Sequence, residues 1–507
     1  MLKISKDLFD CWNNNSVVYC HWKSNEHLAE GLEGGTDLDV LLSPKDRELG
    51  CSILRDLRFV KFHSQFGSRY PNVEDWIGFD HGTGRLVHLH LHFALMTGHK
   101  GVKEYELPWI GEALSTRIQN QDTGVFIMNP TLELVSLYTR LILKANRNVV
   151  RDARVGRYRM GNHFQKEIAF VKKNVDEDML REISRRYFGK DWSEFVHIVK
   201  QPELSAALYV RLNEIVSFAM AGYSRFRGVS LHLRRVFYPV IIKLKRRLSR
   251  WGRGVLTRKV ANPRGGFSVA FIGQDGSGKS TVTEEIKKWL NWKIEANRFY
   301  LGSGEHYNSL LKRIISHGVS IKHKHDCVST SPGVNSIPQK KRKKGIRSFI
   351  STVLVSWNML RIAKRAYRVL LAAEKYKRRG GIPLYDRFPQ IQFEGIYDGP
   401  RIANYYKKTG LDFYLVRLIA RREYSLFRKI QQWQPEVVFK LILPPEESIR
   451  RKPIENLDNV IQKHRVTQEL VFPDSRVFTV DATQDYNNEI LFIKRQIWES
   501  VSLSSES

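Results

Sequence analysis

The chain has 507 residues, more than one compact hydrophobic core accommodates, so we expect several domains. Hydrophobic residues make up 42% and charged residues 27% of the sequence, a composition that excludes wholesale disorder. Lys and Arg number 83 against 52 Asp and Glu, and the formal net charge of +31 favours anionic partners such as nucleotides, nucleic acid or acidic lipid.

Cysteine content and hydropathy indicate the compartment. Four cysteines are too few for a disulfide framework and none forms a CxxC pair, namely Cys11, Cys20, Cys51 and Cys327. The first residues lack the apolar stretch of a signal peptide. The longest apolar run, Phe349–Leu360, ends at Arg361 after about twelve residues, too few to span a bilayer. We therefore expect a cytoplasmic protein without a transmembrane segment, with peripheral attachment to a membrane surface left open.

The first pattern with chemical meaning is an Asp-x-Asp pair. Residues 17–20 read as a strand, and a second strand follows Gly34-Gly35 and carries Asp37 and Asp39. Because side chains alternate along a strand, these two carboxylates share one face. Paired carboxylates on one face are what a two-metal site for nucleotidyl transfer needs. Asp37 and Asp39 are therefore predicted magnesium ligands.

This spacing resembles the nucleotidyltransferase superfamily of the polymerase-beta type, in which Gly-Ser precedes Asp-x-Asp; here Lys23-Ser24 takes that place. The resemblance implies a mixed α+β nucleotidyltransferase-like domain over residues 1–125, with a third carboxylate on a neighbouring strand. The candidate strand is Leu86–Phe93, whose alternate positions are histidines: His88, His90 and His92. Either a zinc site or a solvent-facing row of histidines fits that pattern, and the module is either active or inert.

Residues 126–223 read as a helical extension, because Leu132, Leu137 and Leu141 recur at helical spacing. A basic connector follows over residues 224–265, with thirteen Lys and Arg and no acid. Pro239 predicts a break in any long helix there. The connector reads either as a solvated interdomain helix or as a surface for anionic lipid or nucleic acid.

The most specific motif follows a short apolar strand, Phe267–Ile272, and precedes a helical pattern. It has the form GxxxxGK[ST] and comprises Gly273, Gln274, Asp275, Gly276, Ser277, Gly278, Lys279, Ser280 and Thr281. Its glycines let backbone amides surround phosphates at a helix N-terminus. Lys279 is expected to reach the β- and γ-phosphates, and the Ser280 hydroxyl to ligate Mg²⁺.

Two later motifs complete the predicted catalytic set. Asp386-Arg387 ends another short strand, where an acid can hold the magnesium shell or an acceptor proton and an arginine can bind an acceptor phosphate; a strand-end salt bridge is the alternative. After a third strand, 436–443, a helix carries Arg450 and Arg451, which we expect to neutralise the transferred phosphoryl group. A late strand, 478–482, and a closing helix follow.

Together these motifs resemble the thymidylate kinase family of P-loop nucleoside monophosphate kinases, over about residues 266–505. The resemblance implies a parallel sheet flanked by helices, and it assigns Asp275 to the acceptor sugar, Arg387 to its phosphate, and Arg450 or Arg451 to the ATP phosphates. Ile272 and Phe388 differ from the family pattern. The resemblance therefore implies phosphoryl transfer and leaves the acceptor base open.

The sequence thus predicts an α/β chain whose P-loop kinase domain, 266–507, contains a basic insertion at 303–348. The predicted activity is Mg²⁺- and ATP-dependent phosphoryl transfer to a nucleoside monophosphate or a related acceptor. The alternative is a P-loop ATPase that senses nucleotides or nucleic acid, with segments 224–265 and 311–347 contacting anionic lipid or nucleic acid. In a third interpretation the first module transfers a nucleotidyl group to a small molecule or protein, which the kinase domain then phosphorylates. Predicted partners also include a second copy of the chain.

Overall fold

A computed structural model describes residues 1–64, 70–226, 228–251, 259–262, 265–302, 346–409, 413–453 and 457–506. These residues form two compact units, Met1–Val260 and Ala261–Ser507. The unit boundary falls within the basic connector 224–265, and the finer domain limits stay predictions. The basic segment 311–347 lies almost wholly outside the described residues, and Cys327 lies outside them.

The first unit is built on a mixed sheet. The strands of this unit are β1 (Tyr19–His21), β2 (Leu38–Leu42), β3 (Val60–Ser64), β4 (Val73–Phe79), β5 (Leu86–His92), β6 (Met96–Thr97), β7 (Tyr105–Glu106), β8 (Ile118–Gln119) and β9 (Phe126–Ile127). Strands β6 and β7 form a separate two-stranded sheet, and the others belong to the main sheet. In the main sheet they lie in the order β3-β4-β5-β2-β1-β9-β8. A short strand, β10 (Val260–Ala261), follows where the two units meet in sequence.

The register of three neighbouring strands brings polar residues together. β2 runs parallel to β5 with Asp39 opposite His90, and β4 runs antiparallel to β5 with Asp75 opposite His90. Along β5 the alternate residues Leu89 and Leu91 are fully buried in the core on the other face. The period-two pattern therefore fixes which face of the sheet carries the carboxylates and imidazoles.

Helices cover the rest of the first unit. They are α1 (Lys3–Asn14), α2 (Leu28–Leu32), α3 (Arg47–Asp56), α4 (Ile110–Ser115), α5 (Pro130–Leu143), α6 (Arg147–Arg154), α7 (Asn162–Val171), α8 (Glu177–Phe188), α9 (Trp192–Lys200), α10 (Ala206–Ala219) and α11 (Gly228–Trp251). Short 3-10 helices occur at Asn25–His27, Pro44–Asp46, Lys172–Asn174, Gly189–Asp191 and Ala221–Tyr223. Asn129 caps α5 by accepting from the Thr131 amide, and nearly every side chain of that helix is buried. Helices α5–α10 thus occupy the region that the leucine pattern predicts.

The expectation that Pro239 breaks a long helix is wrong. α11 continues from Gly228 to Trp251 with Pro239 inside it. Proline removes one backbone donor and leaves the carbonyl of Arg235 without its usual helical partner.

The second unit contains a wholly parallel sheet. Its strands are β11 (Val269–Gly273), β12 (Ala296–Tyr300), β13 (Ile382–Asp386), β14 (Val437–Ile442) and β15 (Arg476–Asp481), in the order β12-β13-β11-β14-β15. Strands β11, β13, β14 and β15 match the predicted positions. β12 was missed because its sequence, ANRFY, mixes polar and apolar residues on a half-exposed edge. The central position of β11 places the loop after it between β13 and β14.

The helices of the second unit are α12 (Lys279–Leu290), α13 (Ile346–Lys377), α14 (Ile402–Thr409), α15 (Tyr414–Gln431), α16 (Pro445–Arg451), α17 (Leu457–Glu469) and α18 (Tyr486–Glu506). Val282, Ile286 and Leu290 bury one face of α12, as their spacing predicts. Across the described residues, no helix combines the length and apolarity needed to cross a membrane.

Candidate functional site

The loop between β11 and α12 forms a nest of backbone amides. Gly276 and Gly278 adopt φ angles of +85° and +82°, a left-handed conformation that glycine adopts without steric cost. A Cβ at Gly273 would lie 2.5 Å from the Leu441 carbonyl oxygen and 2.5 Å from Ser277 Oγ. The glycines are therefore required by the shape of the loop, and the loop directs its amides to the N-terminus of α12.

Lys279 opens α12 and folds back over the loop. Its Nζ donates to the Gln274 carbonyl oxygen at 2.5 Å and lies 3.5 Å from Ser277 Oγ. Burial, with the nearby Arg387 charge, lowers the pKa of Lys279 to about 7. An anion bound in the nest would restore the charged ammonium by favourable electrostatics, so the buried lysine suits a phosphate ligand.

Ser280 and Asp386 bring two oxygen ligands together. The Ser280 hydroxyl donates to Asp386 Oδ2 at 3.0 Å, and Arg298 of β12 also pairs with that oxygen. Asp386 is only 1% exposed, and its other oxygen, Oδ1, is buried without a hydrogen-bond partner among the described residues. Mg²⁺ prefers hydroxyl and carboxylate oxygens. This pair of residues therefore fits the magnesium ion that the sequence predicts.

Arg387 lies beside the nest in a left-handed conformation, with φ +69°. Its Nη2 donates to Asp275 Oδ1 at 2.9 Å, and Lys463 of α17 donates to Asp275 Oδ2 at 2.6 Å. The two residues predicted to contact the acceptor are thus in direct contact with each other. Lys463 was not found from the sequence, because a lysine on a charged helix has no local signal for a site.

The two arginines of α16 differ in placement. Arg451 donates to the carbonyl oxygens of Gly276, at 3.5 Å, and Ala482, at 3.2 Å. Arg450 is 79% exposed and pairs with Glu447 of its own helix. Ser448, also missed from the sequence, donates to the Asp275 carbonyl oxygen at 2.6 Å. α16 therefore docks on the phosphate-binding loop through Ser448 and Arg451, with Arg450 directed to solvent.

A small cavity lies next to this cluster. Met359 and Phe427 give it apolar walls, and Asp398 lines it while lying 3.7 Å from the Arg387 guanidinium. Glu423 also lines it and accepts backbone hydrogen bonds from Arg401 and Ile402, at 3.0 and 2.9 Å. Burial raises the pKa of Glu423 to about 7. The cavity thus combines apolar walls with carboxyl groups beside the arginine that the sequence predicts for an acceptor.

The first unit holds a second cluster, which we call the Asp–His cluster: Asp37, Asp39, Asp75, His88, His90 and His92. His88 bridges Asp37 and Asp75, at 2.8 and 3.1 Å. His90 bridges Asp39 and Asp75, at 3.3 and 3.1 Å. His92 Nε2 lies 3.1 Å from Asp39 Oδ1, and carboxylates and imidazoles therefore alternate along the cluster.

Lys23 joins this cluster. Its Nζ lies 2.8 Å from Asp39 Oδ1. Burial opposes ionisation of Asp39, but the charge of Lys23 and hydrogen bonds from two imidazoles outweigh it and hold the pKa well below its ordinary value. Burial likewise disfavours imidazolium at His90, yet hydrogen bonds to Asp39 and Asp75 raise its pKa to about 10. The cluster therefore neutralises its carboxylates with the protein's own cations.

The histidines of β5 are not a solvent-facing row. His88 and His92 are buried, and His90 is about one-third exposed, because β4 and β2 cover both sides of β5. A third carboxylate of this cluster, Asp75, lies on β4, a strand that the sequence patterns did not single out. The alternation in Val73–Phe79 was the available signal, since it places Asp75 and Ile77 on one face.

No protein-family model matches the sequence. Among curated proteins, the chain is similar to the uncharacterized ATP-binding protein YghR of Escherichia coli K12, at 27% identity over 46% of this chain and 86% of that protein. It is also 26% identical to the uncharacterized ATP-binding protein YghS of the same strain, over 42% of this chain and 84% of that protein. The chain is therefore similar to ATP-binding proteins over less than half of its length.

Among solved structures, deoxyadenosine kinase of M. mycoides with bound dATP matches with a TM-score of 0.27 and 12% identity, over 46% of this chain and 98% of the kinase. The same kinase with dCMP and dCDP gives a TM-score of 0.26 and 13% identity, over 45% of this chain and 98% of the kinase. Likenesses at these TM-scores do not establish a shared fold. The description of the second unit as a P-loop fold therefore rests on its own parallel strand order and on the glycine loop between β11 and α12.

Proposed function

We propose that the second unit is an ATP-dependent phosphotransferase that requires Mg²⁺. The observation that carries this proposal is the pairing of Ser280 with Asp386 beside a glycine nest. A hydroxyl at 3.0 Å from a buried carboxylate, one of whose oxygens has no hydrogen-bond partner in the described residues, provides oxygen ligands for magnesium. The similarity to ATP-binding proteins supports ATP as the phosphoryl donor.

In this proposal each residue of the cluster has a definite role. The loop amides and Lys279 would bind the β- and γ-phosphates, and Ser280 and Asp386 would hold Mg²⁺, which supplies charge neutralisation on the phosphates. Arg451, already docked on the loop at Gly276, would bind the ATP phosphates. Catalysis would come from positioning and electrostatics, without a covalent enzyme intermediate.

The proposed acceptor is a nucleoside monophosphate. Arg387 would exchange its ion pair with Asp275 for the acceptor phosphate, since a guanidinium binds phosphate with two parallel hydrogen bonds. The adjoining cavity between Met359 and Phe427 has apolar walls, but its volume of about 30 Å³ is too small for a base, so base binding would require this cavity to open. The resemblance to thymidylate kinases supports this class of acceptor, and the departures at Ile272 and Phe388 leave the base to experiment.

The test is Mg²⁺-dependent ADP formation from ATP with a panel of nucleosides and nucleoside monophosphates, using the full chain. We expect Lys279→Met to lower kcat by about two to three orders of magnitude, as does removal of one preorganised charge donor elsewhere. Lys288→Met is the matched control, because this lysine is exposed on the same helix. Acceptor-independent ATPase activity would favour the nucleotide-sensing alternative, and ATP binding unchanged by Lys279→Met would contradict the proposal.

We also propose that α11 attaches the protein peripherally to an anionic membrane. The helix carries seven Lys and Arg and no Asp or Glu. Its exposed large apolar side chains fall within an arc of about 140° around the helix axis, and they are Val229, Leu233, Val236, Phe237, Val240, Ile241 and Leu244. A cationic helix with one apolar face is typical of segments that lie in the membrane interface.

One ion pair orients this helix. Arg235 lies on the side of α11 opposite the apolar arc and pairs with the buried Glu104 at 2.7 Å. The pair ties the polar side of α11 to the first unit, so the apolar arc faces away from it. Nucleic acid would bind the cationic side chains through its phosphates but would not bury the apolar arc. A lipid surface can bind both, so we favour lipid as the partner of α11.

Vesicle co-sedimentation tests the membrane proposal. We expect the full chain to bind phosphatidylglycerol-containing vesicles more tightly than pure phosphatidylcholine vesicles, and Phe237→Glu to weaken binding at least tenfold. Phe218→Glu is the control, since Phe218 is also largely exposed, at 75% against 54% for Phe237, but lies on α10. Equal binding by both variants, or binding to single-stranded nucleic acid alone, would contradict it. The cytoplasmic location and the homodimer stay predictions.

A further inference from the structure

We propose that the Asp–His cluster of the first unit binds one divalent ion of the zinc class through Asp39, His90 and His92. The proposal concerns the first unit alone and does not rest on the phosphotransferase proposed for the second. It replaces the prediction of magnesium at Asp37 and Asp39, because the residues that surround these carboxylates suit another class of ion.

The cluster does not fit a pair of magnesium ions. Mg²⁺ takes oxygen ligands in nearly ideal octahedral geometry and retains water. Here imidazole rings lie between the carboxylates: His88 separates Asp37 from Asp75, and His90 separates Asp39 from Asp75. A third carboxylate is therefore present in the cluster, but no oxygen-only site joins it to the other two.

The same spacing suits an ion that accepts nitrogen and oxygen ligands. Asp39 Oδ1 lies 3.3 Å from His90 Nδ1 and 3.1 Å from His92 Nε2. Zinc bonds to nitrogen and oxygen of about 2.0–2.1 Å correspond to ligand separations of about 3.3 Å along the edges of a tetrahedron. Two of the three ligand separations thus match the edges of such a tetrahedron, and all three ligand atoms lie within 4.8 Å of one another.

Asp75 acts as the positioning residue for this trio. His90 presents Nδ1 to Asp39 and its other ring nitrogen, Nε2, to Asp75 Oδ1 at 3.1 Å. Zn²⁺ bound at Nδ1 would displace the Nδ1 proton to solvent, and the Nε2 proton would remain in the hydrogen bond to Asp75. Metal-bound histidines ordinarily donate their second ring N–H to a carboxylate, which fixes the tautomer and the ring orientation. Asp75 is buried and receives a hydrogen bond from the Ser64 hydroxyl, so its own orientation is fixed.

Two of the three proposed ligands are partly exposed to solvent. Asp39 and His90 retain 14% and 30% exposure of their side chains, so an ion and a water ligand have access to them. Three protein ligands with one open position are the arrangement of zinc sites that do chemistry. The Lys23 ammonium, 2.8 Å from Asp39 Oδ1, competes with the ion for that oxygen and tunes its affinity.

Metal titration of the full chain, without nucleotide, tests this assignment. His323, His325 and Cys327 are also zinc-ligand types in the sequence, so the titration uses a His323→Gln, His325→Gln and Cys327→Ser background. We expect this chelator-treated protein to bind one Zn²⁺ at the cluster, at least 100-fold more tightly than Mg²⁺. Co²⁺ bound in its place should give the visible absorption of a four-coordinate ion.

Variants separate the ligands from their neighbours. Asp39→Asn and His92→Gln should each weaken Zn²⁺ binding at least tenfold, and Asp75→Asn by 10–100-fold through His90. Lys23→Met should strengthen binding, because it removes a competing charge. His197→Gln, at an exposed histidine on α9, should leave the affinity unchanged. Circular dichroism establishes that each variant is folded.

Three results would overturn the proposal. The first is a protein that binds no Zn²⁺, or binds it no better than Mg²⁺. The second is binding that Asp39→Asn and His92→Gln leave unchanged in folded protein. The third is loss of binding with Asp37→Asn in place of Asp39→Asn, which would assign the ion to Asp37 and His88 instead.

Discussion

Both units neutralise buried aspartates with the protein's own cations, but the cations are of different kinds. In the second unit Asp386 pairs with the Arg298 guanidinium. In the first unit Asp75 pairs with the imidazoles of His88 and His90. A guanidinium stays protonated at any physiological pH, whereas an imidazole that gives up its proton becomes a metal ligand.

This difference separates the two clusters by the ligand each can take. Around Asp275 and Asp386, arginine and lysine side chains leave a carboxylate only when a phosphate or a metal ion offers a better partner. Around Asp39, the imidazoles themselves supply the ligand atoms. A carboxylate cluster alone therefore does not identify a nucleotide site, and the chemistry of the neighbouring cations decides which ligand fits.

The largest expected effect is a loss of phosphoryl transfer when the aspartate cluster of the second unit is changed, but not when that of the first unit is changed. Asp386→Asn should reduce Mg²⁺-dependent phosphoryl transfer by about two to three orders of magnitude, because the magnesium shell loses a charged ligand. Asp39→Asn should leave that activity within twofold of the wild type. The measurement is kcat for ADP formation with the best acceptor. Equal losses in both variants would mean that the two clusters serve one reaction.

A pH titration sharpens the contrast between fixed and titrating charges. Burial raises the pKa of Glu423 to about 7 in the folded chain, above its ordinary value of 4.5. The folded state then holds the proton more tightly, so the free energy of unfolding falls as pH rises from about 4.5 to about 7. Glu423→Gln should remove this penalty, which is about 3 kcal/mol above pH 7.

Thermal unfolding of the second unit between pH 5 and pH 8 measures this effect. The stability advantage of Glu423→Gln over wild type should grow up to about pH 7 and then level off. Glu446→Gln, at an exposed glutamate on α16, serves as the control and should show a constant difference. An advantage for Glu423→Gln that does not change with pH would show that the glutamate is ionised throughout.

The smallest expected effect concerns the two arginines of α16. Arg451→Ala should raise KM for ATP about tenfold, since this side chain contacts the phosphate-binding loop. Arg450→Ala should change KM less than twofold, because its exposed pair with Glu447 contributes little. Steady-state kinetics on both variants decides which of the two contacts the nucleotide. The reverse order would mean that α16 rotates when ATP binds.

Sequence patterns predicted the strands and site residues of the second unit more completely than those of the first. The glycine loop, Lys279, Ser280 and Asp386 form a local motif whose strand and helix flanks the structure also shows. Arg298 and Lys463 could not be found in this way. Each enters the cluster through a tertiary contact with an aspartate remote in sequence, and an isolated cation on an edge strand or a polar helix has no local signal.

In the first unit the sequence pattern predicted a strand that carries Asp37 and Asp39, and it showed the alternating histidines of a second strand. It could not supply the strand order, which places β5 between β2 and β4 and so buries His88 and His92. Asp75 escaped notice for the same reason. Alternation predicts which residues share a face, whereas the identity of the neighbouring strand depends on the fold of the whole unit.

The strand order of the second sheet also governs when the protein becomes functional during synthesis. β11 pairs on one side with β13 and on the other with β14, and both are translated long after it. Contacts so distant along the chain form slowly. Translation must therefore reach Ile442 before the glycine nest can have both of its flanking strands. Until then, the sheet around the loop in the nascent chain is incomplete.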